Sequence, residues 1–288
     1  MQRLCGLMRK AVQDYEMIVP GDKVMVGVSG GKDSVALTIG LAELRKYIGF
    51  DFTVQAVTLD PQFGGRPMDY TVLQELFAQY DIPYEIRRTE IGPVVFDYRK
   101  EKNPCALCAK LRRGALHTAA QELGCNKVAL GHHLDDAVET FYMNLWREGR
   151  IGCFSPVTYL SRRDLTLIRP MLLATEQEVI SAVNAEGLPI GRPFPNEGVF
   201  LLDEQGQEIT TPGQVGELCV RGTALALGYL NAPEQTARAF CQNPLNPHYP
   251  ERIYRTGDLA CYNQRQELLF RGRKDFQVKY LGHRGELE

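Results

Sequence analysis

The chain has 288 residues, of which 44% are hydrophobic and 24% charged, and its formal net charge is −2. This composition predicts an ordinary globular protein with room for two domains, and the near-neutral charge excludes general electrostatic nucleic-acid binding by the whole chain. It contains no apolar run of about 18 residues and no long apolar stretch near the N-terminus. We therefore expect no transmembrane helix, no signal peptide and a cytoplasmic location. The eight cysteines then favour free thiols over a disulfide scaffold.

In the first half of the chain, strand-like and helix-like segments alternate. Short apolar runs predict strands, and apolar residues at helical spacing predict helices. The predicted strands lie at 23–28, 52–59, 84–89, 127–131 and 166–171. The predicted helices lie at 33–47, 69–80, 108–124, 135–148 and 175–187. The alternation predicts an α/β fold, a doubly wound parallel sheet with helices on both faces.

The second part of the chain has a different secondary-structure pattern. Its strand candidates, separated by Gly, Asn and Pro turn residues, lie at 199–209, 216–222, 252–262, 266–272 and 276–282. Only one segment, at 232–240, has helical character. We therefore predict two domains, an α/β domain over 1–188 and a smaller, mostly β domain over 189–288.

The hexapeptide SGGKDS, which starts at Ser29, follows the first predicted strand and opens the first predicted helix. Gly30 and Gly31 let the backbone approach an anion closely, and the helix supplies free N–H groups and a positive dipole end. Lys32 adds a cation, and Ser29 and Ser34 add hydroxyls. A βα turn of chance composition is the alternative, but it is much less common for the full hexapeptide in this context. The loop therefore predicts a phosphate-binding site.

This loop resembles that of the PP-loop ATP pyrophosphatases, as does GHHLDDAVET at 131–140. Such enzymes cleave ATP between its α and β phosphates and use AMP to activate an oxygen. The resemblance implies that the whole hexapeptide binds ATP, that Lys32 and Asp33 are catalytic, and that Asp33 assists Mg²⁺. It also implies that His132 and Asp135 belong to the ATP site. A core histidine and a helix N-cap are the alternatives for these two residues.

Two cysteines, Cys105 and Cys108, stand at the start of a predicted helix. A Cys-x-x-Cys pair can hold a metal or an iron–sulfur cluster, or carry persulfide sulfur, and two buried structural thiols are the alternative. The basic residues around the pair are Arg99, Lys100, Lys102, Lys110, Arg112 and Arg113. A solvated helix face and contact with a tRNA backbone both explain this basic stretch.

The segments 14–34, 103–117 and 148–170 closely resemble tRNA 2-thiocytidine synthetases, and the resemblance spans about residues 5–188. It implies that ATP adenylates the C2 oxygen of an anticodon-loop cytidine. A sulfur nucleophile held at Cys105 and Cys108 then displaces AMP. The implied partners are tRNA and a sulfur donor such as a cysteine desulfurase, with a homodimer as the candidate assembly and no membrane.

The third cluster ligand of this family is missing from the sequence. In these enzymes three cysteines hold the cluster, and the third lies in a segment resembling CPxxG. Here the corresponding segment is RPFPNEG, with Phe194 at the cysteine position, and no cysteine lies between Cys153 and Cys219. A 4Fe–4S cluster would need another third ligand. A non-catalytic ATP- or tRNA-binding protein is therefore the alternative function.

The second domain resembles the adenylation domains of nonribosomal peptide synthetases. The segments that carry the resemblance are 188–209, 216–240, 252–260 and 271–288. It implies that Asp258 and Arg273 bind the ribose of AMP and that Asp275 is a hinge, whereas a turn aspartate after Gly257 is the alternative for Asp258. In that family the phosphate loop lies upstream and the catalytic lysine lies in a later lid. We therefore expect an inactive remnant. A role of the whole chain in peptide-synthetase-like amino-acid activation is the third interpretation.

Overall fold

The computed structural model describes residues 1–62, 68–99, 104–188, 197–222, 225–229, 232–274, 277–280 and 283–286. The chain divides into two compact units, Met1–Val183 and Asn184–Glu288. Within the described ranges, no helix combines the length and the apolar character needed to cross a membrane.

The first unit is an α/β structure with six strands and six α-helices among its described residues. The strands are β1 (Lys23–Gly27), β2 (Thr53–Asp60), β3 (Tyr84–Arg88), β4 (Lys127–Ala129), β5 (Val157–Leu160) and β6 (Leu165–Ile168). The helices are α1 (Gln2–Asp14), α2 (Lys32–Leu44), α3 (Thr71–Gln79), α4 (Pro104–Glu122), α5 (Leu134–Glu148) and α6 (Glu176–Ala185). A π-helical segment, Pro93–Tyr98, precedes α4.

The strands of the first unit form one sheet in the order β3-β2-β1-β4-β6-β5. Its neighbours run parallel except β5, which pairs antiparallel with β6. The predicted parallel α/β fold is thus confirmed, with one antiparallel edge strand that the sequence did not indicate. Because the chain moves outward from β1 to β3 and then returns to the other side of β1, the order reverses between β1 and β4. Ligands of open α/β sheets bind at such a switch point, outside the carboxyl ends of the strands.

Two glycines allow close packing in this unit. A Cβ added to Gly40 of α2 would lie 2.6 Å from the Sδ of Met8, so glycine lets α1 approach α2. A Cβ on Gly27, at the end of β1, would lie 2.9 Å from a methyl of Leu116, so α4 packs directly on that strand end. Ala119 of α4 is fully buried in the same core. Helix α1 was not predicted from the sequence.

The second unit is built on an antiparallel sheet, which confirms the predicted β-rich second domain. Its strands are β7 (Glu197–Leu202), β8 (Glu208–Ile209), β9 (Gly216–Gly222), β10 (Phe240–Gln242), β11 (Arg252–Tyr262) and β12 (Leu268–Arg273). They are ordered β10-β11-β9-β7-β8, and β12 also pairs with β11. Helix α7 (Pro233–Ala239) and a hairpin of β13 (Gln277–Tyr280) and β14 (His283–Glu286) complete the described elements.

Apolar side chains pack on both faces of this second sheet. Successive residues of a strand point to opposite faces, so Phe200 and Leu202 join one buried cluster while Leu201 joins another. The first cluster also contains Cys219 and Ile253, and the second contains Ile209, Ala260 and Leu268.

Candidate functional site

The loop between β1 and α2 has the shape that its glycines predict. Gly30 has φ +85°, in the left-handed region where a side chain is strained. Gly31 is the residue before α2 and has extended backbone angles. The loop therefore leads directly into α2, and the first backbone N–H groups of a helix can bind an anion.

The hydroxyl groups of Ser29 and Ser34 stabilise the loop through hydrogen bonds to its backbone. The Ser34 hydroxyl donates to the Gly31 carbonyl at 2.9 Å and accepts from the Ser29 backbone amide at 3.2 Å. The Gly31 amide donates weakly, at 3.4 Å, to the Ser29 hydroxyl. Ser29 and Ser34 thus shape the loop, in addition to any contact with a ligand.

Lys32 lies between two carboxylates. Its Nζ is 3.0 Å from the Asp33 Oδ1 and 3.0 Å from the Glu176 Oε1, which belongs to the first residue of α6. Burial of the ammonium opposes its charge, but the charges and hydrogen bonds of Asp33 and Glu176 outweigh this effect and raise the pKa of Lys32. The lysine is therefore a fixed cation at the start of α2.

The GHHLDD segment after β4 lies against the same helix start. A Cβ on Gly131 would lie 3.4 Å from the backbone carbon of Asp33. Asp136, rather than Asp135, accepts the backbone N–H of His133 at the start of α5, at 2.9 Å. The Asp135 Oδ2 accepts the backbone N–H of Glu176 at 2.6 Å. The N-cap of α5 is therefore His133 and not Asp135, whose carboxylate joins α5 to α6.

His132 and Arg169 flank one aromatic ring. The His132 and Phe154 rings are 4.9 Å apart, and the Arg169 guanidinium lies 4.8 Å from the centre of the Phe154 ring. Arg169 is buried and donates through Nη1 to the Ser155 carbonyl at 2.5 Å. Burial, together with the charge of Arg169, lowers the pKa of His132. His132 is therefore a neutral imidazole at neutral pH.

The cysteine pair lies within the first five residues of α4. Helix α4 leads to the start of β4, and Leu116 in its second half packs at the end of β1, so the helix begins on the carboxyl side of the sheet, the side of the phosphate loop. The Arg112 Nη2 donates toward the Cys108 Sγ at 3.8 Å, so a guanidinium lies beside this thiol. The side chain of Cys105 lies outside the described part of the structure, as do Lys100, Lys102, Phe194 and Asp275.

A cavity of about 420 Å³ opens at this edge, beside the ends of β2 and β3. It is lined by Asp60, Met68, Tyr70, Ile86 and Arg88. The buried Asp60 carboxylate accepts the backbone N–H groups of Gln62 and Met68, which shape its rim. Burial and the charge of Asp60 raise the pKa of Tyr70, while the charge of Arg112 opposes the shift. The cavity therefore lies within electrostatic reach of the cysteine helix.

In the second unit, the two predicted ribose ligands contact each other. Asp258 of β11 and Arg273 of β12 are register partners and form an ion pair. Arg273 also donates to the Thr256 carbonyl at 3.2 Å. The Asp258 backbone N–H donates to the Thr256 hydroxyl at 3.0 Å, across Gly257.

Comparison with protein families identifies the first unit. The PP-loop domain family matches residues 6–190, well over half of the chain. The chain belongs to the PP-loop family.

Curated relatives of this PP-loop chain are named tRNA-cytidine(32) 2-sulfurtransferase. The protein of that name from Syntrophotalea carbinolica is 39% identical over 189 residues, which are 65% of this chain and 72% of the relative. The one from Alkalilimnicola ehrlichii is 42% identical over 176 residues, 61% of this chain and 55% of the relative. A U34-tRNA thiolase from Methanococcus maripaludis, solved with its 4Fe–4S cluster, shares the fold. Its TM-score is 0.54 at 24% identity, covering 67% of this chain and 66% of that one.

A second family, described as AMP-binding enzyme, matches residues 173–230. This match overlaps the end of the PP-loop match and includes β7 and β9. The second part of the chain is thus similar to adenylate-forming enzymes over a limited stretch, which ends before Asp258 and Arg273.

Sequence reasoning missed two residues of this PP-loop site, Arg169 and Glu176. Each follows β6, whose carboxyl end lies at the same edge as those of β1 and β4. A polar side chain directly after a parallel strand is the signal that marks Arg169, whereas Glu176 lies in the following helix and carries no such signal.

Proposed function

We propose that the PP-loop unit catalyses ATP-dependent thiolation of cytidine in tRNA, at the C2 position. The observation that supports the proposal is the phosphate loop at the start of α2, with the Cys-x-x-Cys helix beginning on the same side of the sheet. The names of the curated relatives support the substrate and the reaction.

In this proposal the start of α2 holds the phosphates of ATP. The Gly30–Gly31 backbone and the first amides of α2 bind anionic oxygens, and Lys32 offsets charge on the pyrophosphate as it leaves. Asp33 assists Mg²⁺, and the neutral His132 and Asp135 complete the ATP site. The cavity beside β2 provides room for a nucleoside base at the same edge.

The reaction then has two steps. The C2 oxygen of cytidine attacks the α-phosphorus of ATP, and the bond to the pyrophosphate breaks. The outer sulfur of a persulfide on one cysteine of the pair, Cys105 or Cys108, bonds to C2, and the C2–O bond breaks as AMP leaves with the oxygen. The thiolate of the other cysteine then attacks the inner sulfur, so the S–S bond to the outer sulfur breaks, 2-thiocytidine is released and a Cys105–Cys108 disulfide forms, which an external thiol reduces before the next cycle. The contact of Arg112 with Cys108 places a donor beside the proposed sulfur site.

The three positions that would hold the cluster by the family resemblance do not provide three thiolates in this sequence. Cys105 and Cys108 are two ligands, and Phe194 cannot ligate iron. We therefore derive no step through a 4Fe–4S cluster, and assign the pair to sulfur transfer itself.

The proposed partners follow from this chemistry. The substrate is tRNA, whose backbone would meet the basic residues near the pair, such as Arg112 and Arg113. The sulfur donor is an enzyme of the cysteine desulfurase class. A cytoplasmic location and a homodimer remain part of the proposal.

We propose that residues 189–288 are an adenylation-domain remnant without activity of their own. The ion pair between Asp258 and Arg273 supports a structural role for both. The proposed boundary at 188/189 lies close to the end of the first compact unit at Val183. Because GLPIGRPF contains two glycines and two prolines, limited proteolysis should cut near residue 190.

Mass spectrometry of tRNA nucleosides tests the proposed function. Cells that carry the gene should contain 2-thiocytidine, and cells without it should lose this nucleoside. Complementation with wild type should restore it, and complementation with Cys108→Ser should not. Unchanged 2-thiocytidine after deletion would refute the proposal. ATP binding without thiolation would favour the non-catalytic alternative, for which the phenylalanine at position 194 is the supporting observation.

A further inference from the structure

We propose that Glu176 is a resident counter-anion for Lys32, which phosphate must displace when nucleotide binds to the PP loop. Glu176 would thus be a positioning residue that weakens ground-state binding and promotes release of pyrophosphate. The inference rests on the proposed binding of ATP at this loop and extends it to a residue on a different helix.

The geometry places Glu176 in direct competition with a phosphate oxygen. Its Oε1 lies 3.0 Å from the Lys32 Nζ, at the N-terminus of α2 where the anion would bind. Asp33 already contacts the same ammonium at 3.0 Å. An ammonium has three N–H donors, so two of the three directions around Lys32 face carboxylates before any ligand arrives.

Glu176 does not reach Lys32 by chance, because its backbone is anchored. The Asp135 carboxylate accepts the Glu176 N–H at 2.6 Å, and the Leu134 N–H donates to the Ala174 carbonyl at 2.8 Å. The first turn of α6 is therefore tied to the first turn of α5. This anchoring holds the carboxylate beside the phosphate loop, where its side chain is 38% exposed.

The consequence is a defined exchange of partners. Without nucleotide, Glu176 keeps the partly buried ammonium of Lys32 paired. When pyrophosphate or triphosphate binds, a phosphate oxygen takes the place of Glu176 at Lys32, and the nearby negative charge of Glu176 raises the free energy of the bound state. When pyrophosphate leaves, Glu176 takes the ammonium back.

Titration calorimetry with Mg²⁺–pyrophosphate and with Mg²⁺–ATP tests this exchange in the full chain. Glu176→Gln retains the shape and an acceptor but removes the charge. It should bind both ligands about tenfold more tightly. This is the repulsion that is lost between the Glu176 carboxylate and one unit charge of a phosphate at about 6 Å, with an effective dielectric constant of about 40. Glu176→Ala should shift binding in the same direction. A merely structural role would weaken binding instead.

Glu178→Gln is the matched control. Glu178 lies on the same helix but pairs with Arg3 at 2.7 Å and accepts the Thr175 N–H at 2.8 Å. This variant should bind as wild type does, since it removes the same charge from α6 without touching Lys32. Thermal melting of each variant would verify folding.

Each result is decisive. Wild-type binding with equal or weaker binding by both Glu176 variants would overturn this inference alone. An equal gain in Glu178→Gln would also overturn it, because the effect would then be one of net charge. A wild-type chain that binds neither ligand would refute the proposed function, and this inference with it.

Discussion

Removal of the Lys32 ammonium is the sharpest perturbation of the phosphate loop. In Lys32→Ala, the phosphates of ATP lose a charged donor, and hydrogen bonds to charged groups contribute about 1.5–3 kcal/mol each. That loss alone corresponds to about 10- to 150-fold in affinity. Asp33 and Glu176, both 3.0 Å from Nζ in the wild type, would then face the incoming polyanion without a counter-ion. We therefore expect Mg²⁺–ATP to bind at least about 100-fold more weakly.

Folding stability should change little in this variant. The carboxylate side chains of Asp33 and Glu176 are 35% and 38% exposed, and such ion pairs contribute about 0–1 kcal/mol. A loss of that size lowers the melting temperature by no more than about 4 °C in a domain of this length. Calorimetry with Mg²⁺–ATP and a thermal melt measure the two effects separately. Nucleotide affinity equal to that of the wild type in a folded variant would refute the assignment of the loop.

Three further perturbations separate the other parts of the protein. Cys108→Ser should abolish tRNA thiolation in a nucleoside assay and keep the Mg²⁺–ATP affinity, because it removes only the soft sulfur ligand; thiolation at the parental rate would contradict a sulfur role. Any exchange of labelled pyrophosphate into ATP should disappear in Lys32→Ala and persist in Asp258→Ala, and the reverse pattern would identify the second unit as the active one. Burial lowers the pKa of His132 below its ordinary value of 6.5. This histidine therefore contributes stability that is fully present above about pH 6.5 and is lost as pH falls through its folded-state pKa. Melting temperatures measured from about pH 8 to pH 5 should therefore fall less steeply in His132→Asn, and an identical slope would show that this histidine is not the titrating group.

Much of the first unit follows from local sequence patterns. Apolar runs such as 23–28 and 127–131 are strands because a parallel sheet covered by helices buries both faces. SGGKDS marks a βα turn because Gly30 takes up a backbone angle that other residues avoid. Because these signals are local, they can be recognised without knowledge of the fold. The family resemblance further implied a sulfur role for the cysteine pair and the ATP chemistry of the loop. The match to the PP-loop domain model confirmed membership of that family.

Contacts between residues distant in sequence could not be predicted in this way. Glu176 reaches Lys32, Arg169 lies over Phe154 beside His132, and Asp135 accepts an amide of α6. Each pairing depends on which strands become neighbours, and strand order is absent from the apolar pattern of any single strand.

The sequence by itself determined the alternating elements, the phosphate loop and the change of texture after about residue 189, because these depend on backbone preference and local burial. Only the tertiary structure decided which carboxylates surround Lys32 and that Asp258 is paired with Arg273. The physical reason is that an electrostatic site forms from charges a few ångströms apart in space. Residues 33 and 176 meet at one ammonium only because the parallel strands that precede them end at the same edge of the sheet.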